Sequence, residues 1–296
     1  MPVPRLIQGS TALLPLLLLL LLAAGHVDGY KPVLIVHGIF NEPKDFQMLT
    51  KFIKKVHPGT EVHVINLYNN LNSLKPMWEQ VLDVGKVVSN IMSNFPNGVH
   101  LLGFSQGGLV CRAVLSLIPN HNVHSFISLS SPLAGQFGVT AYLSQVIPKH
   151  RRKNFQKHCY KRYGQRLSIC NYWKDPHLKE EYLRNNMFLP LLNGEKPHSK
   201  MKEWKKNFLR IKKLVLIGGP QDGVITPWQS SLFGFYDSNE NVVGMRSQEF
   251  YKNDAFGLKT LDARGDLLMC VVPGVIHSEW KMNFQVFRLC MEKWLT

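Results

Sequence analysis

Apolar positions along the chain fall into two alternating kinds of run. Short continuous stretches at Pro32 to Val36, Val62 to Leu67, Val99 to Phe104, Ser125 to Leu129, Leu214 to Ile217 and Leu267 to Val272 have the length and β-branched content of strands buried on both faces. Residues 43 to 56, 75 to 95 and 106 to 118 instead place apolar side chains at helical spacing. Strand, helix, strand in repetition predicts an α/β class: a mostly parallel sheet with helices on both faces, because parallel neighbours need a crossover. From about residue 133 to 213 the alternation lapses into an irregularly helical, basic and aromatic pattern. The sheet pattern then resumes, so residues 135 to 212 are expected to be an insertion laid over a single domain spanning 30 to 296.

Residues 1 to 29 carry one Arg5, an apolar run ending in unbroken Leu16 to Leu22, and then the small residues Ala23, Ala24 and Gly25. An apolar run of about a dozen residues before small ones reads as a secretory signal peptide, since roughly 20 are needed to span a bilayer. Cleavage is expected between residues 24 and 29. That compartment permits disulfides. Of the five cysteines, Cys159 with Cys170 and Cys270 with Cys290 close short loops, leaving Cys111 as a buried free thiol on a core helix. No Cys-x-x-Cys occurs and the histidines do not cluster with the cysteines, so no metal site is expected. No Asn is followed two residues later by Ser or Thr, so the chain has no N-glycosylation acceptor.

The formal charge of +15 invites a nucleic-acid or membrane reading, but its location narrows it. Residues 149 to 213 hold 19 Lys+Arg against 5 Asp+Glu, so nearly all the excess lies in the insertion. Lys149 to Arg166 contains basic residues and no acid, with Phe155, Tyr160 and Tyr163 interleaved. This suits an anionic head group or an anionic membrane surface, or simply a solvated face. No nucleic-acid-binding motif is present, so nucleic acid is not an expected partner.

The chemistry centres on Gly103-Phe104-Ser105-Gln106-Gly107-Gly108, a G-x-S-x-G turn after a predicted strand and before a predicted helix. Such a turn is tight enough to strain the serine backbone and project its hydroxyl off the sheet edge. A serine needs a base, and the base needs an orienting acid, in the chain order Ser, Asp or Glu, His. After His198 the sole histidine is His277, just past the last strand; Asp222 follows the strand at Leu214. The candidate catalytic set is therefore Ser105, Asp222 and His277. The oxyanion donors are expected to be the backbone N–H groups of Gln106 and Ile39, with His37 shaping the loop before Ile39. Trp228, Phe233, Leu191 and Leu192 are candidates for lining an acyl groove, or for ordinary packing. The same triad serves oxygen-ester lipases and acyltransferases, and an inactive secreted protein that binds anionic surfaces is the reading from outside enzymology. No cofactor is required by this chemistry.

His37-Gly38, Gly103 to Gly108, Ser128-Leu129-Ser130-Ser131-Pro132, Asn171-Tyr172-Trp173 and Gly218 to Ser230 occur in the order of the palmitoyl-protein thioesterases. The sequence resembles that family from about residue 32 onward, most nearly its type 2, lysosomal branch. The resemblance implies an α/β-hydrolase fold, a triad of Ser105, Asp222 and His277, and hydrolysis of long-chain acyl thioesters such as palmitoyl coenzyme A. It also implies a lysosomal location, with secretion as the alternative.

Overall fold

The computed structural model describes residues 29–144 and 155–296, so residues 1–28 of the leader and 149–154 of the basic block lie outside the described residues. The six expected runs form β1 (Val33–Val36), β2 (Val62–Val64), β3 (Val99–Phe104), β4 (Val123–Leu129), β5 (Lys213–Gly218) and β8 (Leu267–Val271). They pair in parallel throughout, in the order β2-β1-β3-β4-β5-β8. A separate antiparallel hairpin joins β6 (Phe235–Tyr236) to β7 (Val242–Val243). It was not expected, because two residues per strand are too few to set up a period-two pattern.

Alternation along each strand sends side chains to two cores. Leu34, Leu101, Phe126 and Leu214 point toward α2 (Met77–Ser93) and α3 (Gln106–Leu117). Val33, Ile35, Leu102, Ile127 and Val215 pack instead with Leu49 and Ile53 of α1 (Gln47–Val56) and with Phe287 and Met291 near the C-terminus. Consequently the connection leaving β1 goes to one face of the sheet and the connection leaving β3, its neighbour, goes to the other. This is a topological switch point, and the crevice between the two loops is where open α/β sheets bind ligands. The arrangement is that of an α/β-hydrolase.

Between β4 and β5 the described chain forms short helices, Phe155–Cys159, Ser168–Asn171, Lys179–Asn185 and Leu189–Leu192, followed by α4 (Met201–Phe208). Cys159 is bonded to Cys170 across this segment, Cys270 is bonded to Cys290, and Cys111 is free and buried within α3. Burial pushes the Cys111 thiol well up, which leaves it protonated. The segment is fastened to the sheet layer by Arg112 of α3, whose guanidinium is 1% exposed. It donates to Leu133 O (3.2 Å), Leu192 O (3.0 Å) and Asn193 Oδ1 (2.7 Å) and lies 3.9 Å from the Phe256 ring centroid. Burial brings its pKa down to about 9, so it remains charged at neutral pH. No helix among the described residues is long and apolar enough to cross a membrane.

Candidate active site

Ser105 sits between β3 and α3 with φ 54° and ψ −127°, a left-handed conformation that a non-glycine residue adopts only when its surroundings enforce it. The enforcement comes from three glycines. A Cβ at Gly103 would lie 2.5 Å from Gly108 Cα, and one at Gly107 would lie 2.2 Å from Val36 O. One at Gly38 would lie 2.7 Å from Ser105 Cβ. The turn can therefore close, and β1 can approach it, only with hydrogen at these positions. Pairing of Val36 with Gly103 sets the register that brings the loop after β1 alongside the serine.

The structure brings Ser105, His277 and Asp222 together, all buried. His277 Nε2 is 2.9 Å from Ser105 Oγ, and His277 Nδ1 is 2.9 Å from Asp222 Oδ2 and 3.1 Å from Oδ1. The His277 backbone N–H donates to Asp222 O at 2.9 Å, which ties the loop after β8 to the loop after β5. Asp222 accepts from several further groups: Val224 N–H (3.0 Å), Ile225 N–H (2.7 Å), Ser130 Oγ (2.5 Å) and the Trp280 indole N–H (2.7 Å). Burial pushes the Asp222 carboxyl up, but hydrogen bonds from His277, Ser130 and Ile225 outweigh it and hold the group below the ordinary carboxylate value. An ionised Asp222 can orient the imidazole and stabilise an imidazolium.

Ser130 and Trp280 were not read from the sequence. Ser130 lies in the Ser-Leu-Ser-Ser-Pro run immediately after β4, at the same sheet edge as Ser105, and that position was the available signal. Its φ of 46° turns its hydroxyl toward Asp222 and to within 3.3 Å of His277 Nδ1. Trp280 is wholly buried, and its three-residue distance from His277 carries no sequence signal of its own.

Gln106 begins α3, and its side chain is anchored away from the serine. Its Nε2 donates to Ser73 O at 2.8 Å and to Gln80 Oε1 at 3.2 Å, while Tyr172 Oη donates to its Oε1 at 3.2 Å. Ser73 Oγ in turn accepts from the backbone N–H of Phe40, beside Ile39, at 2.8 Å. The two segments expected to supply oxyanion donors are thus pinned to one residue, Ser73. His37 is buried with Nε2 3.1 Å from Asn69 Oδ1, away from the His277 contact, in keeping with a loop-shaping position.

The four acyl-groove candidates separate. Phe233 is fully buried beside Phe250, Phe256 and Arg112, and Leu192 is buried with its carbonyl on Arg112. Both serve the packing around the guanidinium. Trp228 and Leu191 are half-buried. Among the described residues, no group of three His, Cys, Asp or Glu side chains is placed to hold a metal ion.

A sequence model described as palmitoyl protein thioesterase matches residues 32–277, from the first strand to the histidine at the site. The human lysosomal thioesterase PPT2 is 52% identical over 286 residues, covering 96% of this chain and 95% of that protein. The Drosophila melanogaster lysosomal thioesterase PPT2 homolog is 42% identical over 251 residues, 85% of this chain and 87% of that one. Among solved structures, the mature form of Bacillus licheniformis lipase BlEst2 superposes with a TM-score of 0.49 at 15% identity, over 91% of this chain and 94% of that chain. The chain belongs to the palmitoyl protein thioesterase family.

Proposed function

We propose that this protein hydrolyses long-chain acyl thioesters, palmitoyl coenzyme A among them, through an acyl-enzyme on Ser105. The observation that carries the reading is the buried line from Ser105 Oγ through His277 to Asp222, each contact at 2.9 Å. His277 Nε2 takes the hydroxyl proton as Oγ attacks the thioester carbonyl carbon. Asp222 holds Nδ1–H and stabilises the imidazolium that forms. The N–H groups of Gln106 and Ile39 receive the carbonyl oxygen as its charge develops. Preorganised donors cost no reorganisation at that moment, and losing one costs about 10²–10³ in kcat. The C–S bond breaks, the thiolate leaves with the proton returned by His277, and water activated by the same imidazole then releases the fatty acid.

Family membership supports the acyl thioester as substrate, and the words "lysosomal thioesterase" attached to the relatives support the lysosome as the place of action. The low pKa of Asp222 suits an acidic lumen, because the carboxylate that orients His277 stays ionised there. Trp228 and Leu191, half-buried, remain the candidates for contact with the acyl chain.

Purified protein offered palmitoyl coenzyme A and a palmitoyl oxygen ester in parallel tests the reading. Cleavage of the thioester, lost in Ser105→Ala, is the expected result. Cleavage of the oxygen ester alone would make the protein a lipase on the same residues.

A further inference from the structure

Three segments meet beside the serine turn: residues 70 to 74, residues 161 to 168, and Asn186 to Phe188. Ser168 Oγ donates to Ser73 O at 2.9 Å, Met187 N–H donates to Gln165 Oε1 at 2.9 Å, and the Trp78 indole donates to Met187 O at 2.6 Å. On their outer side they present Leu71 (72% exposed), Met187 (59%), Tyr163 (54%) and Leu167 (42%). A single exposed apolar residue needs no explanation, but four on abutting segments mark an interaction surface.

The polar residues around them give the sign of the partner. Lys161, Arg162 and Arg166 are exposed among these apolar side chains, and among the described residues none of the three is in an ion pair. None of the three segments contains an Asp or Glu. Apolar side chains that can enter the acyl boundary, flanked by cations that meet phosphate and carboxylate head groups, are the composition of a protein surface that lies on an anionic bilayer.

This surface is wired to the catalytic turn. Ser73 O accepts at once from Ser168 Oγ (2.9 Å), Gln80 Nε2 (2.8 Å) and Gln106 Nε2 (2.8 Å), and Ser73 Oγ accepts from Phe40 N–H. The exposed face and the two segments flanking Ser105 therefore hang on one residue, Ser73.

We propose that the face formed by Leu71, Tyr163, Leu167 and Met187 with Lys161, Arg162 and Arg166 docks the protein on an anionic lipid surface, presenting the serine crevice to acyl chains held in the bilayer. This rests on the reading that the substrate carries a long acyl chain, for such molecules partition into membranes. Lipid is favoured over a protein partner because the patch joins scattered apolar side chains to three exposed cations on one segment rather than forming a shaped groove.

The test is co-sedimentation of the purified chain with phosphatidylcholine vesicles, with and without phosphatidylserine, alongside hydrolysis of a soluble short-chain acyl thioester. Wild type should sediment only with the anionic vesicles and be released by high salt. Lys161→Glu/Arg162→Glu/Arg166→Glu should weaken partition on the order of a hundredfold, since each cation near an anionic surface contributes comparably. Leu71→Asp, at the most exposed site, should also lower partition, and both variants should retain wild-type turnover of the short-chain substrate. Equal sedimentation of wild type and both variants overturns the proposal. So does sedimentation indifferent to phosphatidylserine, or loss of short-chain turnover in Leu71→Asp, which would make the face structural. Failure of the wild type to cleave any thioester would strike the proposed activity instead and leave the vesicle result to stand by itself.

Discussion

The parallel sheet and the chain between β4 and β5 solve the same problem in opposite ways. In the sheet, backbone groups pair with backbone groups, so side chains are free to be apolar, and the two cores are built from Val, Ile, Leu and Phe. Between β4 and β5, where the described helices run for only 3 to 8 residues, many carbonyls have no backbone partner and side-chain amides take over. Gln165 Nε2 donates to Cys159 O (2.8 Å) and Cys170 O (3.1 Å). Asn186 Nδ2 serves Cys170 O (3.1 Å) and Trp173 O (3.3 Å), and Arg112 serves Leu133 and Leu192. A further half-buried group, Lys174 with Glu195 at 2.6 Å, is completed by Tyr182 and Asn193 on the same carboxylate. One region is specified by periodicity and tolerates volume-conserving change; the other is specified by single polar contacts that have no substitute.

If that contrast is right, the two regions should fail differently. The largest effect belongs to the sheet edge: His277→Ala should lower kcat by at least about 10⁴-fold while costing only about 1–2 kcal/mol of stability. Steady-state kinetics with urea unfolding separates the two, and a comparable loss of both would break the contrast. Arg112→Met should do the reverse. It leaves two buried backbone carbonyls and the side-chain oxygen of Asn193 without the donor that Arg112 supplies, at about 1–3 kcal/mol each, so destabilisation of about 3 kcal/mol or more is expected, with turnover of the remaining folded protein retained. A fully active, fully stable Arg112→Met would show that the segment holds by apolar packing after all.

Two smaller effects sharpen the comparison. Cys159→Ser/Cys170→Ser should cost about 3 kcal/mol in denaturant unfolding, the amount a short closed loop withholds from the unfolded chain. Asp222 gives the smallest effect. Its pKa is lower folded than unfolded, so its contribution is fully present above the unfolded value of about 3.9 and is lost as pH falls through the folded value. Stability measured from pH 7 downward should therefore owe no decline to this group until below about pH 4. An earlier decline that disappears in Asp222→Asn would contradict the direction of the shift.

Legibility in the sequence follows the same division. The strands and the parallel character of their sheet were legible in runs such as Val33–Val36 and Leu214–Ile217, whose buried β-branched character is local information; the strand order was not. Ser105, Asp222 and His277 were reachable because each follows a strand at one sheet edge, so chain order implied spatial order. Ser130 and Trp280 were not, since their roles consist of contacts across 92 and 58 residues of chain. Nor were the contacts of Gln165, Asn171 and Asn186, whose amides have carbonyls to serve only once the fold brings them close. Phe233 and Leu192 illustrate the limit for apolar residues: composition left both an acyl groove and ordinary packing open to them, and the structure packs them beside Arg112, whose burial no local pattern announced.

The central claim is that Ser105 is the nucleophile, and covalent trapping tests it most directly. Treatment with a serine-reactive fluorophosphonate, followed by mapping of the labelled peptide, should place the label on Ser105 alone, with palmitoyl coenzyme A hydrolysis falling in step with labelling. Label on another residue, or thioester hydrolysis undiminished in Ser105→Ala, would contradict the account.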